Sequence, residues 1–598
     1  GHDDFVIGKR YGLDIYCPVD NAGRFTPDVE HFSGMRVFEA NDEIVEFMRQ
    51  KGVLLFSEKY DHRYPHCWRC KNPVIFRATP QWFIAMDEGH PVSLREGALH
   101  ETTERVEWIP AWGRDRMRNM LEARPDWCVS RQRVWGVSIP VFYCAKCNEP
   151  VAEAEVINHV ADIFERESGD AWYTRSATEL LPPGYVCKGC GGTEWTKETD
   201  ILDVWFDSGT SSIAVLENPR REELRWPADV YIEGGDQFRG WFNSSLMVGV
   251  AAHDRAPYNT VITHGWTLDA QGRAMHKSAG NAVEPDKVIK QSGAEIIRLW
   301  CASSNYFDDM RASDEILQRV MDGYRKLRNT ARFALGNLHG FDPARDTVPV
   351  EQVEEIDRWA LAELASLIEG VKSDYEEYEF HSVLQKVTNF STVTLSARYF
   401  DIIKDRLYTY APKNVERRSA QTALYQIADA LARILAPILA FTADEVWEHI
   451  PRGSKTDTPM SVHLATFPEP EHYDPDLIPT WNRLFAVREQ VLGELEKARA
   501  NKIIGSSLEA AVVIRAAGAT YELLKNYESQ LRYVFIVSQV VLAESQGGEI
   551  EIQIKRADGS KCERCWNYST RVGEFERYPT VCERCAAALK EIEQDNTD

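Results

Sequence analysis

The amino-acid sequence predicts a multidomain chain of mixed class, an α/β half followed by an all-α half, with zinc-binding modules set into it. Three observations point that way. Short β-type runs ending in glycine- and aspartate-bearing turns fill the first half, as at Val230–Gly240 and Thr260–Gly265, and open α/β sheets gather ligands at such strand ends. From Ser313 to about Ile450 apolar residues recur at helical spacing. Ten of the thirteen cysteines fall into Cys-x-x-Cys pairs, a usage suited to metal or redox work rather than to a disulfide scaffold.

Size and charge bound the reading. At about 150 residues per domain, 598 residues hold roughly four domains. Hydrophobic residues make up 44% and charged residues 27%, an ordinary globular composition, and no apolar run approaches the roughly 20 residues of a membrane span. Gly1-His2-Asp3-Asp4 lacks the basic and then apolar opening of a signal peptide. The expectation is a cytoplasmic protein without a membrane partner. A net charge of -23 argues against non-specific binding of nucleic acid by the whole surface but leaves room for a locally basic face.

The opening, through about Val53, reads as the tail of a domain, with a helical period only over Asp42–Lys51. Cys67-Trp68-Arg69-Cys70 follows, then Val74–Arg77 and Gln81–Ile84, which read as strands. Within an insertion over 143–195, Cys144/Cys147 and Cys187/Cys190 stand about forty residues apart. Two such turns complete a tetrahedron of thiolates around zinc and leave no position for water, which makes the site structural. Asp203–Gly209 and Val230–Trp241 each read as a β-type run ahead of a turn. That places Glu233, Asp236 and Gln237 for polar contacts with a ligand, loop capping being the plainer alternative. The run Thr260–Thr263 ends in His264-Gly265, the loop Gly272–Asn281 follows, and a helix starts at Pro285. Lys277 in that loop is a point charge on a long stem, suited to a phosphate, or else part of an exposed turn.

Ser313 is placed to cap a helix whose apolar face runs through Ile316, Val320, Tyr324, Leu327, Ala331 and Leu335. Arg319, Arg325, Lys326, Arg328 and Arg332 on its other face suit phosphate contact, although most charged faces are merely solvated. Leu424, Ile427, Leu431 and Leu435 keep the period, Pro437 interrupts it, and Thr442–Glu445 reads as a capping box opening the next helix. A linker, Pro451–Pro479, leads to a helix over Trp481–Asn501, a small α/β piece through Ile554, and a zinc ribbon of Cys562/Cys565 and Cys582/Cys585 with sixteen residues between the pairs. Arg564, Arg584 and Trp566 beside those ligands suit phosphate contact and base stacking, with packing of Trp566 over the knuckle equally open.

Ala274-Met275-His276-Lys277-Ser278, Asp203–Gly209, Tyr231–Trp241, Tyr399–Arg406, Gly505–Ala510 and the terminal ribbon stand in the order of family segments. From about Asp3 to Cys585 the chain resembles the C-terminal two-thirds of the bacterial-type isoleucyl-tRNA synthetases, which are class I aminoacyl-tRNA synthetases. The last two features favour isoleucyl over valyl and leucyl relatives. The resemblance implies the second half of a class I Rossmann-type catalytic domain with a zinc-binding insertion, an all-α anticodon-binding bundle and a C-terminal zinc ribbon. The expected bounds are 1–55 for the rear of an editing domain and 56–310 for the catalytic half. A helical connector at 311–350, the anticodon-binding domain and linker at 351–480, and a tRNA-binding region at 481–598 with the ribbon at 560–588 follow.

The implied reaction joins isoleucine to ATP as an adenylate and then passes the acyl group to tRNA(Ile), catalysed by a monomer. Lys277 and Ser278 would be catalytic, and Glu233, Gly234, Asp236, Gln237, His264, Gly265 and Lys277 would bind ATP or the adenylate. Trp205 and Trp241 would wall the amino-acid pocket, and Asp4 would serve editing. Two complete zinc sites are implied, with Cys67/Cys70 a half site and Mg²⁺ accompanying ATP. A His-Ile-Gly-His signature is absent, which implies an N-terminally truncated sequence and an incomplete enzyme as it stands. Ala274 replaces the first lysine of the Lys-Met-Ser-Lys-Ser signature and His276 its serine. The alternatives are a non-catalytic zinc-containing tRNA-binding module and, within the class, a valyl-tRNA synthetase.

Overall fold

A computed structural model describes residues 2–67, 70–89, 91–275, 280–452, 458–470 and 474–595. The chain packs as two units, Gly1–Thr263 and His264–Asp598.

In the first unit a three-stranded sheet holds Glu107–Ile109 and Ala228–Gly234 on either side of Tyr258–His264. The pairing with Glu107–Ile109 is parallel, Val261 standing opposite Trp108. The helix Trp241–His253 packs into the core beneath it, burying Phe242 through Val250. Asp203–Gly209, expected as a β-type run, is instead a helix over Val204–Gly209. The Asp203 carboxylate accepts the Trp205 N–H as an N-cap. Gly209 then lets this helix close on the next, since a Cβ there would lie 2.7 Å from the Ser244 carbonyl oxygen. The β propensity of Val204-Trp205-Phe206 loses to a cap and a close helix contact.

Two further expectations change here. Val74–Arg77 does not form a strand; the pairing near it is one isolated bridge, His66 to Pro73, and Arg77 instead reaches the Val19 carbonyl and Asn21. The opening contains a helix, His2–Arg10, with Asp3 and Asp4 in its first turn and Lys9 and Arg10 in its last, charges that suit the helix dipole. The insertion closes as expected, Phe142–Cys144 pairing antiparallel with Trp195–Lys197 so that Cys144 faces Trp195. It carries its own core, in which Val156 and Val160 of the helix Ala154–Glu167 are buried with Phe142 and Trp172.

The second unit is mainly helical. Ser313 caps Asp314–Asn337 by accepting the Ile316 N–H. Glu355–Glu376, Phe380–Asn389, a π-wound Phe390–Phe400, Asp401–Thr409 and Val415–Leu435 build the bundle. At its centre the buried Asp357 carboxylate takes both guanidinium N–H groups of Arg406, the Tyr399 hydroxyl and the Ser419 hydroxyl. The capping box expected at Thr442–Glu445 is not formed. The helix begins at Ala440, Glu295 accepts the Phe441 N–H at 2.9 Å, and the Thr442 hydroxyl pairs with Tyr324. A partner distant in sequence supplies the cap. The later helix runs Leu477–Ala500, starting before Trp481. Beyond it, Ala510–Ala516 pairs parallel with Gln539–Glu544 and antiparallel with Glu551–Arg556.

Candidate functional site

In the first unit, the strand Ala228–Gly234 delivers Glu233 and Gly234 at its carboxyl end, and one 3-10 turn, Gly235–Phe238, leads into the helix at Trp241. Glu233 is exposed and has no hydrogen-bond partner among the described residues. Gln237 performs the capping that sequence left open: its Oε1 accepts the Trp241 N–H at 3.0 Å and its Nε2 donates to Asp236 at 2.9 Å. Trp241 stacks on Tyr231 at 4.0 Å and donates through Nε1 to the Ser208 carbonyl and the Ser211 hydroxyl. Trp205 is 41% exposed and lies against the chain at Gly240, where a Cβ would stand 2.6 Å from its ring and from Gln237 Oε1. Trp205, Gln237, Gly240 and Trp241 therefore form one cluster, in which an apolar surface meets an amide and an exposed carboxylate. The sequence reading misses Arg116, whose guanidinium lies 5.0 Å from the Phe238 ring and within 3.3 Å of a Cβ at Gly235. Nothing in its own helix, Trp112–Glu122, marks that placement.

In the second unit His264 Nδ1 lies 2.8 Å from the Gly265 carbonyl. Gly265 is obligatory, since a Cβ would fall 2.2 Å from the Asp308 carbonyl oxygen. Lys277 and Ser278 lie outside the described residues. The described residues up to 275 contain a buried carboxylate, Asp269, that sequence does not single out. Asp4 lies exposed in the first helix.

Both predicted tetrathiolate clusters are assembled. Cys144, Cys147, Cys187 and Cys190 bring their sulfurs within 4.8 Å of one another, as do Cys562, Cys565, Cys582 and Cys585. Cys144 stands 3.5 Å from Cys190, Cys147 3.6 Å from Cys187, and Cys565 3.7 Å from Cys582. Arms of about 2.3 Å in a tetrahedron give edges of about 3.8 Å, so these sulfurs fit zinc. The Cys147 and Lys146 N–H groups aim at the Cys144 sulfur and push its thiol down to about 6 against the cost of desolvation.

The Cys-x-x-Cys turns share a backbone. The first cysteine's N–H donates to the carbonyl five residues on, and its carbonyl accepts the N–H four residues on, in Cys144, Cys187 and Cys562 alike. Cys67 repeats it with Asn72 and Lys71 at 2.8 Å each, and Lys71 holds a positive φ of 62°, as Asn148, Gly191 and Trp566 do at 57°, 68° and 65°. At Cys67, Lys71 and Asn72 the backbone bonding is thus the same as in the assembled clusters.

The ribbon's arginines take a different part from the one expected. Arg584 forms a two-pronged ion pair with Asp405 and lies over the Tyr410 ring at 5.0 Å, and Arg564 donates to the Thr409 carbonyl. Both dock the ribbon on the bundle. Trp566, 61% exposed, remains at a groove of about 790 Å³ lined also by Lys404, Tyr408, Arg499 and Arg532. On the helix Asp314–Asn337, Arg319 pairs with Glu315, Arg325 with Asp322 and Arg328 with Glu445, so much of that basic face is neutralised.

Comparison with known proteins agrees with this arrangement. Residues 26–313 match the family described as tRNA synthetases class I (I, L, M and V). Residues 357–514 match the anticodon-binding domain of tRNA ligase, and 559–588 the zinc finger found in FPG and IleRS. An isoleucine–tRNA ligase of Syntrophotalea carbinolica is 51% identical across 98% of this chain and 64% of its own length. Those of Geobacter sulfurreducens and Persephonella marina are 50% and 48% identical, each across 99% of this chain and 64% of its own length. The chain therefore spans about two-thirds, 64%, of the relatives it matches. With a strand-end cluster, two tetrathiolate modules and a helical bundle in the order of those matches, the chain belongs to the class I tRNA synthetases of the isoleucine, leucine, methionine and valine group.

Proposed function

We propose that this chain is part of an isoleucine–tRNA ligase, which activates isoleucine with ATP to the adenylate and transfers the acyl group to tRNA(Ile). The observation that carries the reading is the identity of about half the residues to isoleucine–tRNA ligases along 98% of the chain. In this assignment Glu233 holds the amino group of isoleucine or its adenylate, its exposed and unengaged carboxylate being suited to a cation. Trp205 and Trp241 wall the side-chain pocket, with Gly234, Asp236 and Gln237 fixing the turn beneath the adenylate. His264 and Gly265 border the nucleotide. Lys277, with Ser278, steadies negative charge as pyrophosphate leaves, which is electrostatic stabilisation rather than proton transfer. Mg²⁺ enters with ATP. One methylene is worth only roughly 0.8 kcal/mol of burial, so an apolar pocket discriminates weakly against valine, and Asp4 would belong to an editing site for the valyl product.

The remaining chain divides in this assignment as the rear of the editing domain at 1–55, the catalytic half at 56–310, a connector at 311–350, the anticodon-binding domain at 351–480 and a tRNA-binding region at 481–598. Zinc in the two cysteine clusters is structural, and Cys67/Cys70 supplies half of a further site. The groove beside Trp566 suits an unpaired RNA segment, because an exposed indole stacks on any base and Arg532 suits its backbone, while Lys404 and Arg499 pair with Asp401 and Glu496.

Isoleucine-dependent ATP–pyrophosphate exchange by the enzyme expressed from its complete gene tests the assignment. Exchange is expected with isoleucine, and Lys277→Ala is expected to lower it roughly 100-fold while tRNA binding persists. Binding of tRNA without any exchange would instead make the protein a tRNA-binding module and end the ligase reading.

A further inference from the structure

Arg116 stands on the helix Trp112–Glu122, which follows directly on the strand Glu107–Ile109. That strand runs parallel to Tyr258–His264, so the helix starts at the carboxyl end of the sheet, where open α/β sheets gather ligands. The helix turns Gly113, Met117 and Leu121 into the core. Gly113 lets it come close, since a Cβ there would lie 3.1 Å from the Trp108 ring and 3.2 Å from Phe238. Trp112 and Arg116, four residues apart and both exposed, share the opposite face.

The guanidinium is held by aromatic rings. Its carbon lies 5.0 Å from the Phe238 ring and 5.8 Å from the Trp112 ring, inside the range of cation–π attraction. Phe238 is fully buried and stacks on Trp108 at 5.7 Å, so the platform is fixed. Nη1 reaches the turn that follows Gly234, where a Cβ at Gly235 would stand 3.3 Å from it. Arg116 makes no ion pair or hydrogen bond among the described residues. The carboxylates next to it in sequence and beside Gly235 are engaged elsewhere, Asp115 pairing with Arg118 and Asp236 accepting the Gln237 amide. An arginine side chain carries donors only, and here they stand without an acceptor in a protein whose net charge is -23. Two residues before Gly235, Glu233 is exposed and likewise without a partner among the described residues. The strand end thus presents one unengaged carboxylate and one unengaged guanidinium.

We propose that Arg116 binds a phosphate of the nucleotide at this turn, in ATP and then in the adenylate, opposite in charge to the ammonium that Glu233 takes. This rests on the adenylate site proposed above for Glu233 to Gln237. A guanidinium meets phosphate oxygens through two parallel N–H bonds along its edge, and stacking on Phe238 covers only its face, so the edge is left for the ligand. A phosphate of the tRNA 3′ end offers the same oxygens. The nucleotide is favoured because Nη1 lies against Gly235, between two residues assigned to the adenylate.

Isoleucine-dependent ATP–pyrophosphate exchange and aminoacylation of tRNA(Ile), both by the enzyme expressed from its complete gene, test the proposal. Arg116→Met keeps an apolar stem over Phe238 and removes the fork. It is expected to raise KM for ATP about 10- to 100-fold, the worth of hydrogen bonds to a charged group, with KM for isoleucine unchanged. Arg116→Lys should recover part of that loss, because an ammonium keeps the charge without the fork. An unchanged KM for ATP in Arg116→Met overturns the proposal. So does a raised KM for tRNA at an unchanged KM for ATP, which would give the guanidinium to the tRNA 3′ end. A loss shared equally by ATP and isoleucine, with a lower melting temperature, would make Arg116 a brace for Phe238 and overturns it as well. Should Arg116→Met not fold, Arg116→Lys carries the test alone: a raised KM for ATP at an unchanged KM for isoleucine supports the proposal, and an unchanged KM for ATP overturns it. Absence of exchange in the wild-type enzyme is a different failure, which ends the adenylate reading itself.

Discussion

Glu295 shows how one side chain settles a local boundary that the sequence misplaces. It is 7% exposed and accepts the Phe441 N–H, while Arg298, one turn on, donates to the Pro437 and Ile438 carbonyls. Together they grip the corner at which Val415–Leu435 gives way to Ala440–His449, so Thr442 is not needed as a cap. The partners are 146 positions apart, and no window of sequence contains both. Burial raises the Glu295 pKa, outweighing the Phe441 N–H that lowers it. The sign follows from linkage: with a folded pKa above the unfolded value of about 4.3, the folded state binds more protons in the interval between them. The contribution of Glu295 to stability is therefore greatest at acid pH, falls as pH rises through the folded pKa, and then levels. Glu295→Gln keeps an acceptor for Phe441 and removes the charge. It is expected to melt above the wild type at pH 8 and no higher at pH 4; equal melting at both values would count against the assignment of strain to this carboxylate.

At the scale of elements, legibility follows whether the deciding contact is local. The helix at Ser313 is capped where the sequence indicates, because the cap and its N–H lie three residues apart. The strand ending at Gly234 and the insertion bracketed by cysteines are also legible, since a run of β-type residues and a knuckle spacing are both local patterns. Val204–Gly209 is not, because its helical form depends on a glycine meeting a second helix at Ser244. The ribbon makes the same point: Arg564 and Arg584 look from sequence like phosphate ligands, yet the bundle supplies Asp405 and the Thr409 carbonyl for them. Arg584→Ala is expected to loosen the docked ribbon by on the order of 2 kcal/mol, the worth of hydrogen bonds to a charged group. Arg584→Lys should restore only part, because an ammonium cannot reproduce the two-pronged fork. Protease cutting between Arg556 and Cys562 reads the loosening, and unchanged cutting in Arg584→Ala would remove the ion pair from its docking role.

At the scale of the whole chain the class was readable from composition and order, while the placement of side chains within the candidate site was not. Exposed Glu233 and the Trp205–Gln237–Trp241 cluster take their meaning from a strand, a turn and two helices arriving together, whereas the zinc modules carry their own instructions. Those modules differ in how far they depend on metal. The insertion has an apolar core of its own, with Phe142, Val156, Val160, Ile163, Trp172 and Leu180 buried. The ribbon's buried set is four cysteines with Val581 and Ala586, and Val572, Phe575, Tyr578 and Leu589 only partly covered. A fully buried side chain of that size contributes about 1.5 to 3 kcal/mol, against about 10 kcal/mol or more from zinc bound to four thiolates. Zinc bound at both clusters would thus outweigh the core in the ribbon and supplement it in the insertion. Elemental analysis is expected to find at least two zinc ions per chain, and Cys147→Ser and Cys585→Ser should each remove one. On treatment with a strong chelator the ribbon should lose amide protection first, with the insertion's helix Ala154–Glu167 retained. A metal content below two, or loss of that helix before the ribbon, would contradict this order, because only a metal-dominated module has nothing else to keep it folded.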